Sequence, residues 1–205
     1  MYSGTLLDIA MAHSESLIEN ARKGNERAIS KLVGLWYKRI YNFCFKYFGD
    51  HDLAMESTQK TFISMYKSIS GLQEIEKFTP WLYRIARNHC HDEERSKSRK
   101  WTVSYGEENG EDDRVREIHD REPDPYKKMH EKDICVLMEQ ALVLLTPEQR
   151  EVLIMKEYEG LKFREIAEIL EISENTVKSR LYYGLTHLKK ILSEKNFNIE
   201  MMYYE

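Results

Sequence analysis

The sequence predicts an all-α protein, built as two small helical domains joined by an acidic flexible linker. Apolar residues recur at helical spacing over most of the 205 residues, with no convincing strand alternation. Only four prolines and nine glycines interrupt them. Periodicity stops in one place, at WTVSYGEENGEDDRVREIHDREPDP (101–125), which is acidic, broken by Gly and Asn, and closed by prolines. That composition is a linker's rather than a core's.

The first helical block is expected from Ser14 to Gly49, with a turn at Gly24-Asn25. Its apolar face runs through Leu17, Ile18, Ala21, Ala28, Leu32, Leu35, Trp36, Ile40, Phe43, Cys44 and Tyr47. A second helix spans roughly Leu53 to Ile69, where Ala54, Thr58, Phe62 and Tyr66 recur every four residues. After the loop SGLQEIEKF, Thr79-Pro80 reads as an N-cap followed by proline at the first helical position. That helix continues through WLYRIARNHCHDEER. Beyond the linker, helix resumes at Tyr126 and runs to about Leu192, with breaks at Thr146-Pro147, around Gly160 and at Glu171–Ser173. Each domain is near the lower size limit for independent stability, so partner contacts are expected to help fix their relative placement.

The formal net charge of −4 is unevenly spread. Residues 1–100 hold 16 basic and 12 acidic side chains, 101–130 hold 5 and 9, and 131–205 hold 10 and 14. A local basic excess in an acidic chain points to local rather than global polyanion binding. Cys44, Cys90 and Cys135 have no paired spacing, which reads as reduced thiols in a cytoplasm. The start, MYSGTLLDIAMAH, lacks a basic n-region and is interrupted by Asp8, so it reads as a tail rather than a signal peptide. No apolar run reaches the roughly 18 residues needed to span a membrane.

From Asn175 to Leu192 this acidic chain carries no carboxylate, but it does carry Lys178, Arg180, Lys189 and Lys190. Val177, Leu181, Leu185, Leu188 and Leu192 form an apolar stripe there, and Asn175, Ser179, Tyr182 and Thr186 fall opposite it. With the helix before it (Ile166, Ala167, Ile169, Leu170) and a cap at Ser173, the segment reads as a helix-turn-helix. The second helix of that motif enters the major groove. Leaving carboxylates off this face avoids repulsion by phosphates, and acid elsewhere is screened within about 8–10 Å. An ordinary amphipathic hairpin with a solvated face has the same pattern. Gly184 inside the helix suggests close packing, since glycine costs about 1 kcal/mol there relative to alanine.

LTPEQREVLIMKEYEGLKFREIAEILEISENTVKSRLYYGLTHLKKIL resembles region 4 of the sigma-70 family of RNA polymerase sigma factors. FTPWLYRIARNHCHDEERSKSRK resembles the end of region 2, through Trp81, Leu82, Ile85, Ala86, Asn88, Asp92 and Arg95. DHDLAMESTQKTFISMY resembles the family's polymerase-binding helix. The resemblance implies a region 2 domain over 14–100, the linker over 101–125, a region 4 domain over 126–195, and tails over 1–13 and 196–205. Lacking a folded region 3, the chain is similar to the extracytoplasmic-function subfamily.

By the resemblance, Asn175, Thr176, Lys178, Ser179, Arg180, Tyr182 and Tyr183 face the −35 element. Lys77, Phe78, Trp81, Arg84, Arg87, Asn88, His91 and Arg95 face the −10 element. Glu56, Gln59, Lys60, Phe62 and Ile63 bind the core polymerase. Lys60 and Tyr183 stand where the family commonly has an acid and an arginine. The linker acids Glu107, Glu108, Glu111, Asp112 and Asp113 would lie along positive polymerase channels. The implied partners are bacterial core RNA polymerase, promoter DNA and an anti-sigma factor, in the cytoplasm, with no direct membrane insertion and no cofactor. Separating about ten base-pair steps costs on the order of 14 kcal/mol at ~1.4 per step. A small domain can nucleate such opening but needs the polymerase to sustain it.

No nucleophile elbow, phosphate-cradling glycine loop or paired catalytic motif marks an enzyme. His89 and His91 point about 200° apart on a helix, too far round to share an ion. The competing reading is a free-standing helix-turn-helix repressor or activator, which would have no use for the Gln59 helix or the Trp81–Arg95 pattern.

Overall fold

The computed structural model describes residues 15–104 and 125–194, and within them the backbone is helical apart from short turns. The helices are α1 (15–22), α2 (Glu26–Phe48), α3 (His51–Ser68), α4 (Phe78–Ser104), α5 (Pro125–Val143), α6 (Pro147–Leu153), α7 (Phe163–Leu170) and α8 (Glu174–Glu194). Short 3-10 turns, Ile69–Gly71 and Ile75–Lys77, carry the chain from α3 to α4, and α6 runs on into a π turn over Ile154–Tyr158. The two tails and the linker acids Glu107, Glu108, Glu111, Asp112 and Asp113 lie outside the described residues.

The breaks fall where local chemistry demands them. Asn25 accepts from the Ala28 N–H at 3.1 Å and starts α2, and Asp50 accepts from the Leu53 N–H at 3.0 Å and starts α3. Between them Gly49 takes the left-handed conformation at φ 63° that ends α2. Thr146 caps α6 with Pro147 at its first position.

α4 differs from expectation at both ends. It starts at Phe78, directly after a 3-10 turn, so Thr79-Pro80 lies within its first turn rather than at the cap. It also continues through Trp101 to Ser104, because nothing from Arg95 to Ser104 is Gly or Pro.

Three apolar assignments also change, and the first is on α2, where Leu35 is exposed and its neighbours Leu32 and Trp36 hold the buried side. Tyr66 is 56% exposed, and Met65 takes the buried place on α3. A four-residue repeat drifts by about 40° per step on a 3.6-residue helix, so the fourth member leaves the face. For the same reason Leu185 is exposed, while Gly184 joins Val177, Leu188 and Leu192 on the buried side of α8.

The largest buried cluster joins Leu32, Ile40, Phe43 and Tyr47 of α2 to Ala54 and Met65 of α3 and to Leu82, Tyr83 and Ala86 of α4. Tyr83 meets Phe43 edge to face at 5.6 Å, and Trp36 meets Phe78 at 5.6 Å. The cluster does not stop at the first domain: Val152, Ile154, Met155, Leu161, Ile166, Ile169, Leu170 and Val177 belong to it. A second cluster ties α5, α6 and α8 together through Ala141, Leu142, Leu145, Leu153, Leu188 and Leu192. The two domains therefore pack directly on each other. The thiols of Cys44 and Cys90, 46 residues apart in sequence, are buried with their sulfurs 3.8 Å apart, and Cys135 is exposed.

Gly184 is buried against α6, and a Cβ there would sit 3.4 Å from Gln149 Cβ, an ordinary contact. Alanine fits, so Gly184→Ala is expected to stabilise the second domain by about 1 kcal/mol through helix propensity. A higher denaturant midpoint would show it. A lower one would mean that α6 and α8 approach too closely for a methyl group.

His89 and Ser64 Oγ are hydrogen-bonded at 2.9 Å, tying α4 to α3, and burial lowers the imidazole pKa below its ordinary 6.5. The unfolded chain therefore binds the proton more readily than the folded one. Stability from this group is present above about pH 6.5 and is lost as pH falls through the folded value. Urea midpoints should fall between about pH 7.5 and pH 5, and His89→Asn should flatten part of that slope. An unchanged slope in the variant would remove His89 from the account.

Candidate nucleic-acid interface

α7 and α8 meet at a turn in which Glu171 adopts φ 56°, a conformation glycine usually takes. Ser173 Oγ accepts from the Thr176 N–H at 3.1 Å and starts α8. Burial of Val177, Gly184, Leu188 and Leu192 turns the opposite side of α8 to solvent. Asn175, Thr176, Lys178, Ser179, Tyr182 and Tyr183 are all exposed there. Tyr182 and Tyr183 stand edge to face at 5.8 Å. Arg180 departs from this group. Its guanidinium is half-buried and reaches within 3.6 Å of Glu151, a carboxylate of α6 with no exposed surface.

The basic side of α4 is divided between the two domains. Asn88 is exposed, and Arg95 lies in solvent with Asp92 at 4.0 Å. Arg84, Arg87 and His91 face the second domain instead. Arg84 donates to the Glu168 carbonyl at 2.9 Å and to the Glu171 carboxylate at 3.0 Å. Arg87 Nε donates to Glu151 at 2.8 Å, and His91 Nε2 lies 3.0 Å from the same oxygen. Lys77 is exposed, 2.8 Å from Glu74 and 3.8 Å from Glu168. Phe78 is buried against Trp36, with Trp81 partly buried beside it at 5.8 Å. His89 bonds Ser64 and His91 bonds Glu151, so the two rings do lie on opposite sides of α4.

On α3, Gln59 and Ile63 are exposed while Phe62 is buried, with its ring stacked on Tyr37 at 6.0 Å. Lys60 pairs with Glu56 at 2.8 Å and with Glu93 of α4. These two carboxylates raise the ammonium pKa. Met55 and Tyr66 extend the exposed face to Met55-Gln59-Ile63-Tyr66. Sequence reasoning missed both, although their spacing of 4, 4 and 3 residues is itself a helical stripe.

Residues 32–100 match the family model for sigma-70 region 2, and residues 135–188 match that for sigma-70 region 4. This chain belongs to the sigma-70 family. It is a sigma factor of the extracytoplasmic-function type, which directs RNA polymerase to promoters and is not an enzyme. It is 28% identical over 178 residues to the ECF RNA polymerase sigma factor SigW of Bacillus subtilis, covering 86% of this chain and 95% of that one. It is 30% identical over 164 residues to the ECF sigma factor SigE of Mycolicibacterium smegmatis, covering 80% and 61%. The fold is similar to that of the sigma factor RpoE of Bartonella quintana, solved with the anti-sigma factor NepR. There the TM-score is 0.64 at 21% identity, over 80% of this chain and 96% of that one. CnrH, solved with the cytosolic domain of CnrY, matches with a TM-score of 0.64 at 19% identity, over 88% and 97%. Among the described residues of this sigma factor, no helix is long and apolar enough to cross a membrane.

Proposed function

We propose that this sigma factor divides its work among three surfaces. The α3 face around Gln59 and Ile63, with Glu56, Lys60 and the ring of Phe62 behind it, docks on core polymerase. The basic side of α4, from Arg84 to Arg95, with Phe78, Trp81 and the preceding Lys77, takes the −10 element and starts strand separation. The outward side of α8 reads the −35 element in the major groove. The observation that carries this reading is the split character of α8. One side is packed through Val177, Gly184, Leu188 and Leu192, and the other presents Asn175, Thr176, Lys178, Ser179, Tyr182 and Tyr183 to solvent. Short polar, basic and aromatic side chains without a carboxylate suit base edges and phosphates. Because both similar solved structures hold an anti-sigma factor or the cytosolic domain of a partner, an anti-sigma factor is the natural regulator here too, in the cytoplasm.

A pull-down with bacterial core RNA polymerase, followed by run-off transcription on genomic fragments, tests this reading. Core binding with new start sites supports it and reveals both promoter elements. Sequence-specific DNA binding without core association would favour a free-standing regulator. Gln59→Ala with Ile63→Ala removes two exposed side chains, so the fold should be retained while core affinity falls by about tenfold or more. Unchanged co-purification would move the docking surface elsewhere.

A further inference from the structure

We infer that the outward side of α2 is a track for a DNA backbone, a fourth surface beyond the three proposed above. It holds phosphates without reading bases, whichever partners α3, α4 and α8 take.

The first observation is one of charge. From Arg27 to Gly49 the chain has no carboxylate, and it carries five cations there: Arg27, Lys31, Lys38, Arg39 and Lys46. No longer stretch of this acidic chain is free of acid. The fold sorts the five. Arg39 is committed to Glu159, and the Lys46 ammonium lies 4.7 Å over the Tyr158 ring. Arg27, Lys31 and Lys38 are exposed, and among the described residues no carboxylate pairs with any of them.

The second observation is Gly34. It sits inside a 23-residue helix, where glycine is weaker than alanine, yet a Cβ added there would meet nothing within 4 Å. Nothing inside the chain requires the missing side chain, so the clearance serves something outside it. At about 100° per residue, Arg27, Lys38 and Lys31 lie about 20°, 40° and 60° round the helix from Gly34, opposite the buried Leu32, Trp36 and Phe43. A strand laid over Gly34 comes close to the helix axis and meets three free cations along about 16 Å of it.

This layout suits phosphates better than a protein partner. Protein interfaces put apolar side chains at the centre and polar ones at the rim. Here the order is reversed: exposed Leu35 and Tyr37 stand at the two borders, and glycine and cations hold the centre. Each cation that meets a phosphate releases condensed counterions, so the contact is sensitive to salt.

The test is a salt titration of the full-length chain against a labelled random-sequence DNA duplex, read by fluorescence anisotropy. A triple variant, Arg27→Gln with Lys31→Gln and Lys38→Gln, is compared with the parent. The control removes equal charge at other exposed positions, by Lys23→Gln, Lys67→Gln and Lys162→Gln. Between about 50 mM and 200 mM salt the parent should lose about fortyfold more affinity than the triple variant, as three phosphate contacts at about 0.9 in slope each require. The control should follow the parent.

A triple variant that keeps the parent's salt slope overturns the proposal. So does a control that changes as much as the variant, because net charge alone then explains the effect. Loss of core polymerase co-purification with an unchanged salt slope gives the face to an acidic protein surface and overturns it too. Gly34→Leu separates fold from function. Leucine is the stronger helix former and has open space, so the denaturant midpoint should rise. Duplex affinity should still fall by about threefold or more, as loss of one contact would make it. A raised midpoint with unchanged affinity overturns the proposal.

Discussion

Lys178→Glu is expected to abolish promoter-selective initiation while leaving core binding and folding intact. Lys178 is exposed near the start of α8, and its ammonium rests 5.6 Å above the Phe163 ring. Among the described residues no acid pairs with it, so reversing its charge strands no buried partner there. In a major groove the new carboxylate would lose a favourable contact worth about 1–3 kcal/mol and add repulsion from phosphates. Run-off transcripts should fall about a hundredfold, the equivalent of about 3 kcal/mol. Lys178→Gln should fall less, and its remaining activity should depend less steeply on salt. Full activity in Lys178→Glu would place promoter reading on another face. Arg180→Glu is the poorer probe, because it sets a second acid against Glu151 and damages the motif itself.

Arg150→Met is expected to be the most destabilising single change in the second domain. The Arg150 guanidinium donates to the carbonyls of Leu142 at 3.1 Å, Val143 at 2.7 Å and Leu145 at 2.9 Å, where α5 ends. It also donates to the carbonyl of Tyr47 at 3.0 Å, where α2 ends, and lies 3.5 Å from Glu94. One planar fork therefore serves carbonyls at two helix ends, which are short of donors and electrostatically negative. Methionine fills similar space but donates nothing, leaving buried acceptors and Glu94 without their cation. The expected loss is about 3–5 kcal/mol. For a chain of this size that is a fall in Tm of about 6–20 °C. Arg150→Lys should recover only part of it, since an ammonium cannot reach both helix ends at once. A shift of a degree or two would mean that water replaces the lost donors.

Much of the fold was legible in the sequence. A turn was expected at Gly24-Asn25, breaks at Gly49 and Thr146-Pro147, and a cap at Ser173, and α2, α3, α6 and α8 start at those points because each signal acts within a few residues of itself. The start of α4 was misplaced because Thr79-Pro80 imitates a cap, and its end because the linker was begun at Trp101, ahead of Gly106, the first Gly or Pro after Pro80. Tyr66 and Leu185 were assigned to buried faces by counting fours, whereas the helix keeps time at 3.6. Of the α8 residues expected to face the −35 element, all but Arg180 are exposed. What drew it inward is a carboxylate 29 positions upstream, and no spacing rule connects Glu151 to it.

The sequence by itself determined the helices, the two-domain division, the carboxylate-free side of α8 and the membership of the sigma-70 family. All of these depend on periodicity, caps and motif spacing within a few turns of chain. Only the tertiary structure decided that the domains share one hydrophobic cluster, that Cys44 touches Cys90, and that Arg84, Arg87 and His91 are occupied by acids of region 4. The physical reason is range. A helix is specified by neighbours three and four residues away, but burial and charge pairing are settled between side chains that meet only after both domains have folded.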